Sequence, residues 1–301
     1  MNRRAVIDVG THGVKLLVAE RIRKGWITLL KDVLITRLGD GVDREGKLGE
    51  GPMSRTLDGI SQLRQKALSL RPEAVDIYAT SAMRDATNRE EFCKRLQERT
   101  GLKLEILSGE QEAELAYRGA LDGRDGGVLD LGGGSLEVIV GQKGKLVLQK
   151  SLQLGAVRAQ DALDLPDRPG VEGITKCQSW VQDTLERQLP NLAEQNIDIW
   201  TAVGGTATSI ASMDQGLVAY DSQKIQDYSI SLQSLEEWAN RLAAMDLEER
   251  QHVRGLMPQR ARAIVPGIVI LASFMRYSHT HILRISERGS MEGYLLGKIK
   301  F

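Results

Sequence analysis

Two aspartates that close an apolar run and open a glycine turn are the residues best placed to do chemistry in this chain. They are Asp8, in Ala5-Val6-Ile7-Asp8-Val9-Gly10-Thr11, and Asp130, in Gly127-Val128-Leu129-Asp130-Leu131-Gly132-Gly133-Gly134-Ser135. Glycine lets backbone N–H groups approach an anion closely, and the carboxylate beside it can hold a hard divalent cation. One such turn reads as an ordinary hairpin. Two matched copies, with a third glycine turn at Ala202-Val203-Gly204-Gly205-Thr206-Ala207-Thr208, read as a phosphate site in a cleft between two related halves. In such a duplicate Asp8 and Asp130 occupy equivalent positions, face one cleft and share a cation.

Phosphoryl transfer asks a protein for positioning, neutralising charge and a carboxylate that orients water. Glu110, Glu112 and Glu114 open one helix, where acids suit the positive N-terminus; one of them facing the cleft could serve as a general base. Glu137, on the strand after the triple glycine, points either to solvent or into the cleft, and taken alone solvent is the expectation. Arg84, where a strand turns into a helix, either pairs with Asp85 or grips a phosphate with its bidentate fork. His12 lies inside the first turn. Neither the four histidines nor Cys93 and Cys177 have metal-ligand spacing.

Strands alternating with helices must position these groups. After each Asp-Gly turn a second apolar strand follows, Val14 to Val18 or Leu136 to Val140. In the first half come a strand over 26–30, a helix over 52–70, a strand over 75–79 and a helix over 88–100 ending at Gly101. Ser108 and Gln111 form a capping box for a helix that stops at Asp122-Gly123. In the second half come a strand over 146–152, a helix over 174–189, mainly helix over 231–277, a strand over 282–285 and a terminal helix from Ser290. Ala263 to Met275 is expected as a buried helix with Pro266 as its first residue. The polar stretch 121–126 is the linker, giving a first domain of residues 1–122 and a second of residues 123–289, followed by the terminal helix 290–301.

A chain of 301 residues, 42% hydrophobic and 27% charged, can build two domains with separate cores. Forty basic residues against forty acidic ones leave no overall field to attract nucleic acid or a membrane, so anion binding must be local. The N-terminal apolar stretch is too short and too soon interrupted by Asp8 to read as a signal sequence, and the longest apolar run is too short to span a bilayer, so a cytoplasmic location is expected.

Together these motifs resemble the exopolyphosphatase and guanosine pentaphosphate phosphohydrolase family, within the actin, sugar kinase and heat-shock ATPase superfamily. The resemblance runs end to end. It rests on the three glycine turns and on Arg37-Leu38-Gly39-Asp40-Gly41, the segment Ala79 to Asn88, Ser108-Gly109-Glu110-Gln111-Glu112-Ala113, Leu154-Gly155-Ala156-Val157-Arg158 and Ser286 to Gly293. It implies an α/β fold of two ribonuclease-H-like domains around a cleft, with the terminal helix packed on the first. It further implies Glu112 as the water-orienting glutamate and Asp130 and Glu137 as essential acids near the metal, and it matches Arg84, Gly133, Gly134, Ser135, Gly205 and Thr206 to phosphate-binding positions. Asp8 completes the implied metal set, for magnesium or manganese. The glycine turns themselves add Gly10, Thr11, Lys15, Gly132 and Gly204, so the expected phosphate-binding set is Gly10, Thr11, Lys15, Gly132, Gly133, Gly134, Ser135, Gly204, Gly205 and Thr206. The chain departs from the family pattern at Thr11-His12-Gly13 with Lys15, usually Ser-Asn-Ser with arginine. It departs also at Leu136, at Met291 and at Arg262, which stands where many members carry an acid. Longer members add C-terminal domains that help hold long polyphosphate, and two domains alone are the expectation here.

The activity implied is release of terminal phosphate from short polyphosphate or guanosine pentaphosphate, the latter linking it to the stringent response; a homodimer is compatible with the resemblance. One alternative is a catalytically weakened regulatory protein that binds guanosine tetraphosphate or pentaphosphate. Another, a kinase of the same superfamily, fits the hairpins but not the motifs at Ser108 to Ala113 and Ala79 to Asn88.

Overall fold

The computed structural model describes residues 3–23, 25–192, 197 and 199–298. In the first sheet β1 (Arg3–Val9), β2 (Gly13–Ile22) and β3 (Gly25–Ile35) form an antiparallel meander. On its other side β1 takes β4 (Ala74–Ala79) and then β5 (Glu105–Ile106) in parallel, giving the order β3-β2-β1-β4-β5. The second sheet repeats this plan. β6 (Gly126–Leu131), β7 (Leu136–Gln142) and β8 (Lys145–Leu152) form the meander, and β9 (Trp200–Val203) lies parallel to β6. β10 (Ser229–Ser231) then closes the edge against β11 (Ile282–Ile285), which runs parallel to β9, for the order β10-β11-β9-β6-β7-β8. These are two ribonuclease-H-like domains around a central cleft.

The helices of the first half are α1 (Val42–Glu45), α2 (Glu50–Ser69), α3 (Ser81–Asp85), α4 (Arg89–Thr100) and α5 (Gly109–Leu121). Those of the second are α6 (Ala156–Ala162), α7 (Gly170–Gln188), α8 (Gly205–Asp214), α9 (Ser222–Ile225), α10 (Leu232–Ala243), α11 (Leu247–Gln251), α12 (Ile264–Tyr277) and α13 (Ser290–Lys298). Boundaries expected from periodicity agree to within a few residues, except that β3 runs on to Ile35. Ser108 and Gln111 make both bonds of the capping box on α5. Pro266 is the third residue of α12 rather than its first, still within the first turn, where a missing N–H costs no helical bond. No helix among the described residues is long and apolar enough to cross a membrane.

Period-two alternation explains where the aspartates point. On β1, Ala5, Ile7 and Val9 pack into the core under α2 and α4, while Val6 packs with Tyr294 and Leu295 of α13 on the opposite face. Asp8 shares the face of Val6. On β6, Leu129 and Leu131 enter the large core with α7 and α12, while Val128 packs on Ala113, Ala116 and Ala120 of α5. Asp130 shares the face of Val128. Both aspartates therefore lie on the faces covered by α5 and α13, and these helices cross each other closely. A Cβ on Gly119 would lie 1.8 Å from the Gly289 carbonyl oxygen, and one on Gly293 would lie 1.9 Å from that of Leu115.

Candidate active site

The two Asp-Gly turns are built by the same hydrogen bonds. Gly10 N–H donates to Gly13 O at 3.0 Å, and Gly132 N–H donates to Ser135 O at 3.0 Å. Each turn is then anchored by the loop that follows its meander. Thr36 and Arg37 donate to His12 O at 3.2 and 2.9 Å, while Val157 and Arg158 both donate to Gly133 O at 2.9 Å. The two turns also touch across the cleft: a Cβ on Gly134 would stand 2.6 Å from Ser81 Oγ and 2.7 Å from Thr11 Oγ1. Only glycine allows that approach.

The third turn completes the enclosure. Gly204 has φ +99°, in the range that favours glycine, and a Cβ there would meet Leu131 O at 2.4 Å and Asp130 Oδ1 at 3.3 Å. α8 begins at once, so its free N–H groups open at the cavity, an arrangement suited to an anion. The resulting cavity, of about 80 Å³, is lined by Asp8, Asp130, Glu112, Lys15, Gly10, Thr11, Gly132, Gly133, Gly134, Ser135, Gly204, Gly205 and Thr206. Thirteen of the fifteen residues singled out from sequence thus meet at one place. Arg84 and Glu137 lie just behind its wall.

Glu112 is the acid of its helix that reaches the cavity; Glu110 is exposed, and Glu114 pairs with Arg118 at 2.5 Å. Arg84 Nη1 donates to Glu112 Oε2 at 2.7 Å and to Leu107 O at 3.0 Å. Its link to the cavity therefore runs through the carboxylate. Burial pushes the Glu112 carboxyl up to about 7; Arg84 opposes this, and Asp130 and Asp8 add to it. Burial likewise raises Asp130 to about 6, against the pull of Lys15.

Glu137, opposite Asp130 in the β6–β7 register, is buried rather than turned to solvent, the expectation for that residue taken alone. It accepts a hydrogen bond from Ser151 Oγ at 2.7 Å. Burial, then Glu112 and Asp130, hold its carboxyl well above the usual range. Lys15 donates to Asp8 Oδ2 at 3.2 Å, while Asp8 Oδ1 is buried without a hydrogen-bond partner.

Arg260 lines the cavity and was not among the residues singled out. Its guanidinium covers the third turn so closely that a Cβ on Gly205 would lie 1.6 Å from Nη1. Buried Arg250 steadies the segment that carries it, donating to Ala261 O at 2.9 Å and to Met245 O at 2.8 Å. The one sequence signal for Arg260 was a cation set just ahead of a fully apolar helix. His12 is held neutral: burial, Arg260 and Arg37 push its imidazole down to about 4 against the pull of the Gln259 backbone. Thr80, Ser81 and Ser290 add hydroxyls to the lining.

Such a pocket can receive the oxygens of a phosphate on N–H groups, hydroxyls and two cations, beside a carboxylate able to take a proton near neutral pH. A family model for the Ppx/GppA phosphatase family matches residues 17–300. Exopolyphosphatase 2 of Mycobacterium tuberculosis is 29% identical over 314 residues, covering 98% of this chain and 98% of that protein. A bifunctional 3-dehydroquinate synthase/phosphatase of Fusobacterium nucleatum is 29% identical over 309 residues. The match takes in 97% of this chain and 46% of that protein, so the chain spans about half the length of this relative. The crystal structure of the Ppx/GppA family member of Aquifex aeolicus, 28% identical, superposes with a TM-score of 0.80 over 99% of this chain and 97% of that one.

Proposed function

The chain belongs to the Ppx/GppA phosphatase family, and from that premise we propose that it hydrolyses the terminal phosphoanhydride bond of inorganic polyphosphate, or of guanosine pentaphosphate, releasing orthophosphate. The observation that carries this reading is the convergence of three glycine turns on one cavity beside Glu112. The full-length similarity to an exopolyphosphatase favours polyphosphate.

In this mechanism the terminal phosphates sit on the N–H groups of the turns, on Thr11, Ser135 and Thr206, and against Lys15 and Arg260. Glu112 accepts the proton of a water whose oxygen bonds to the terminal phosphorus as the bridging P–O bond breaks. The shortened chain leaves. Arg84 holds the Glu112 carboxylate in place and limits the rise of its pKa.

Magnesium or manganese suits the donor set. The orphaned Asp8 Oδ1 is a vacant oxygen donor, and magnesium takes one or two protein carboxylates with substrate phosphate and water completing its shell. Among the described residues no three histidine, cysteine or acidic side chains cluster tightly enough to hold a metal alone. Asp8 and Asp130 would hold the ion, with Glu137 as the further carboxylate behind them. Bound there, it would supply positive charge to the phosphate oxygens.

Phosphate release measured on polyphosphate and guanosine pentaphosphate, with and without magnesium, tests this function. Release that requires the ion is expected; no release from either substrate would overturn the reading.

A further inference from the structure

The catalytic cavity is not the end of the cleft. A second cavity of about 150 Å³ adjoins it and shares His12, Val157 and Ala263 with it as a common wall. Like the first, it lies between the two halves. Its first-half lining comes from the loop that opens at Arg37 and from Arg44 of α1, and its second-half lining from Asp161 of α6 and from Arg262.

Most of the charges there lack a close partner. Among the described residues neither Arg37 nor Arg44 makes an ion pair or a side-chain hydrogen bond, and Asp40 has no ion pair. Arg262 reaches Asp161 only at 3.7 Å, and its side chain is 54% exposed. Three guanidiniums thus face two carboxylates around this second space. In a protein without net charge, this local excess of positive charge suits an anion.

Backbone geometry fixes the position of that cation group. Arg37 has φ +54°, a conformation that costs a non-glycine residue energy, and its N–H is bonded to the carbonyl of His12. Gly39 N–H donates to Thr11 O at 2.9 Å, so the Arg37 loop is locked to the first phosphate turn. His12 is the residue between the two spaces. Both of its ring nitrogens are buried and without a hydrogen-bond partner of good geometry, so an imidazole N–H is available to whatever passes from one cavity to the other.

From this juxtaposition we infer that the Arg37, Arg44 and Arg262 cavity is a second anion subsite, holding the phosphates that follow the terminal ones in a linear polyphosphate threaded past His12. The inference rests on the phosphatase reading of the first cavity. It makes chain length a determinant of specificity and gives Arg262 a role in it. Asp40 and Asp161 offset part of the positive charge, and Asp161 yields Arg262 to the incoming chain.

The test compares the wild type with the double variant Arg44→Gln/Arg262→Gln; Arg37 is left alone because its backbone supports the first turn. Both replaced side chains are largely solvent-facing, and circular dichroism with thermal unfolding checks that the variant folds. The readout is the ratio of kcat/KM on long-chain polyphosphate to that on tripolyphosphate, which is expected to fall about tenfold in the variant. Calorimetric binding of both polyphosphates to a Glu112→Gln form, with and without the double substitution, is expected to lose affinity for the long chain by a similar factor. An unchanged ratio with wild-type turnover intact overturns the subsite and leaves the phosphatase reading standing. No phosphate release by the wild type from either length overturns both. A loss on guanosine pentaphosphate with none on long-chain polyphosphate overturns the assignment to a linear chain.

Discussion

In the proposed reaction, Glu112 and Arg84 make pH dependence a property of two side chains. A general base must be deprotonated to act, so with its carboxyl raised to about 7 by burial, kcat/KM should fall as pH drops below that value. Arg84 is the charge that opposes the rise. Replacing it with glutamine should move the acid limb of the pH–rate profile upward by about one unit or more, a shift that loss of fold alone would not produce. Glu112→Gln should lower kcat by about 10²–10⁴-fold and leave KM within a few-fold, measured by phosphate release at saturating substrate. At this scale the sequence was informative where chemistry repeats and silent where it does not. Asp8 and Asp130 were legible because the same turn occurs twice. Arg260 was hidden because the partner that defines its place, Gly205, lies far off in the chain and is reached only through the fold.

At the scale of elements, the crossing of α5 and α13 sets the floor on which both aspartates stand. Gly119 sits at that crossing, where a methyl group would overlap the Gly289 carbonyl. Gly119→Ala should therefore cost about 1–3 kcal/mol in urea unfolding. Gly51, on the exposed first turn of α2, meets only the mobile end of Arg55, so Gly51→Ala should be neutral or stabilise by up to about 1 kcal/mol. Opposite signs for one chemical change would separate packing from propensity. Strand and helix order were readable from alternation and glycine punctuation, and the capping box on α5 from Ser108 and Gln111 alone. Pro266 marked the first turn of α12 but not its first residue, because any position in that turn spares the missing N–H. Glu137 shows the limit of alternation: the strand is covered on both faces, so no parity led to solvent.

For the whole molecule, the closed cleft depends on Arg158 of the second half. Its Nε donates to Gly134 O at 2.7 Å, and its Nη groups reach Asp85 at 2.5 Å and Asp43 of the first half. Arg158→Ala should raise the radius of gyration measured by small-angle scattering and increase KM more than it lowers kcat. Closure could not be read from sequence, since those three residues lie in separate motifs with no spacing rule between them. Their meeting is a property of two domains folded from one repeated plan. The central claim, that this plan builds a site where water attacks a terminal phosphate, is tested most directly by turnover of polyphosphate in ¹⁸O-labelled water. Orthophosphate released by the wild type should carry one solvent oxygen, with release slowed by about 10²–10⁴-fold in Glu112→Gln. Orthophosphate without the label, or full release by Glu112→Gln, would contradict it.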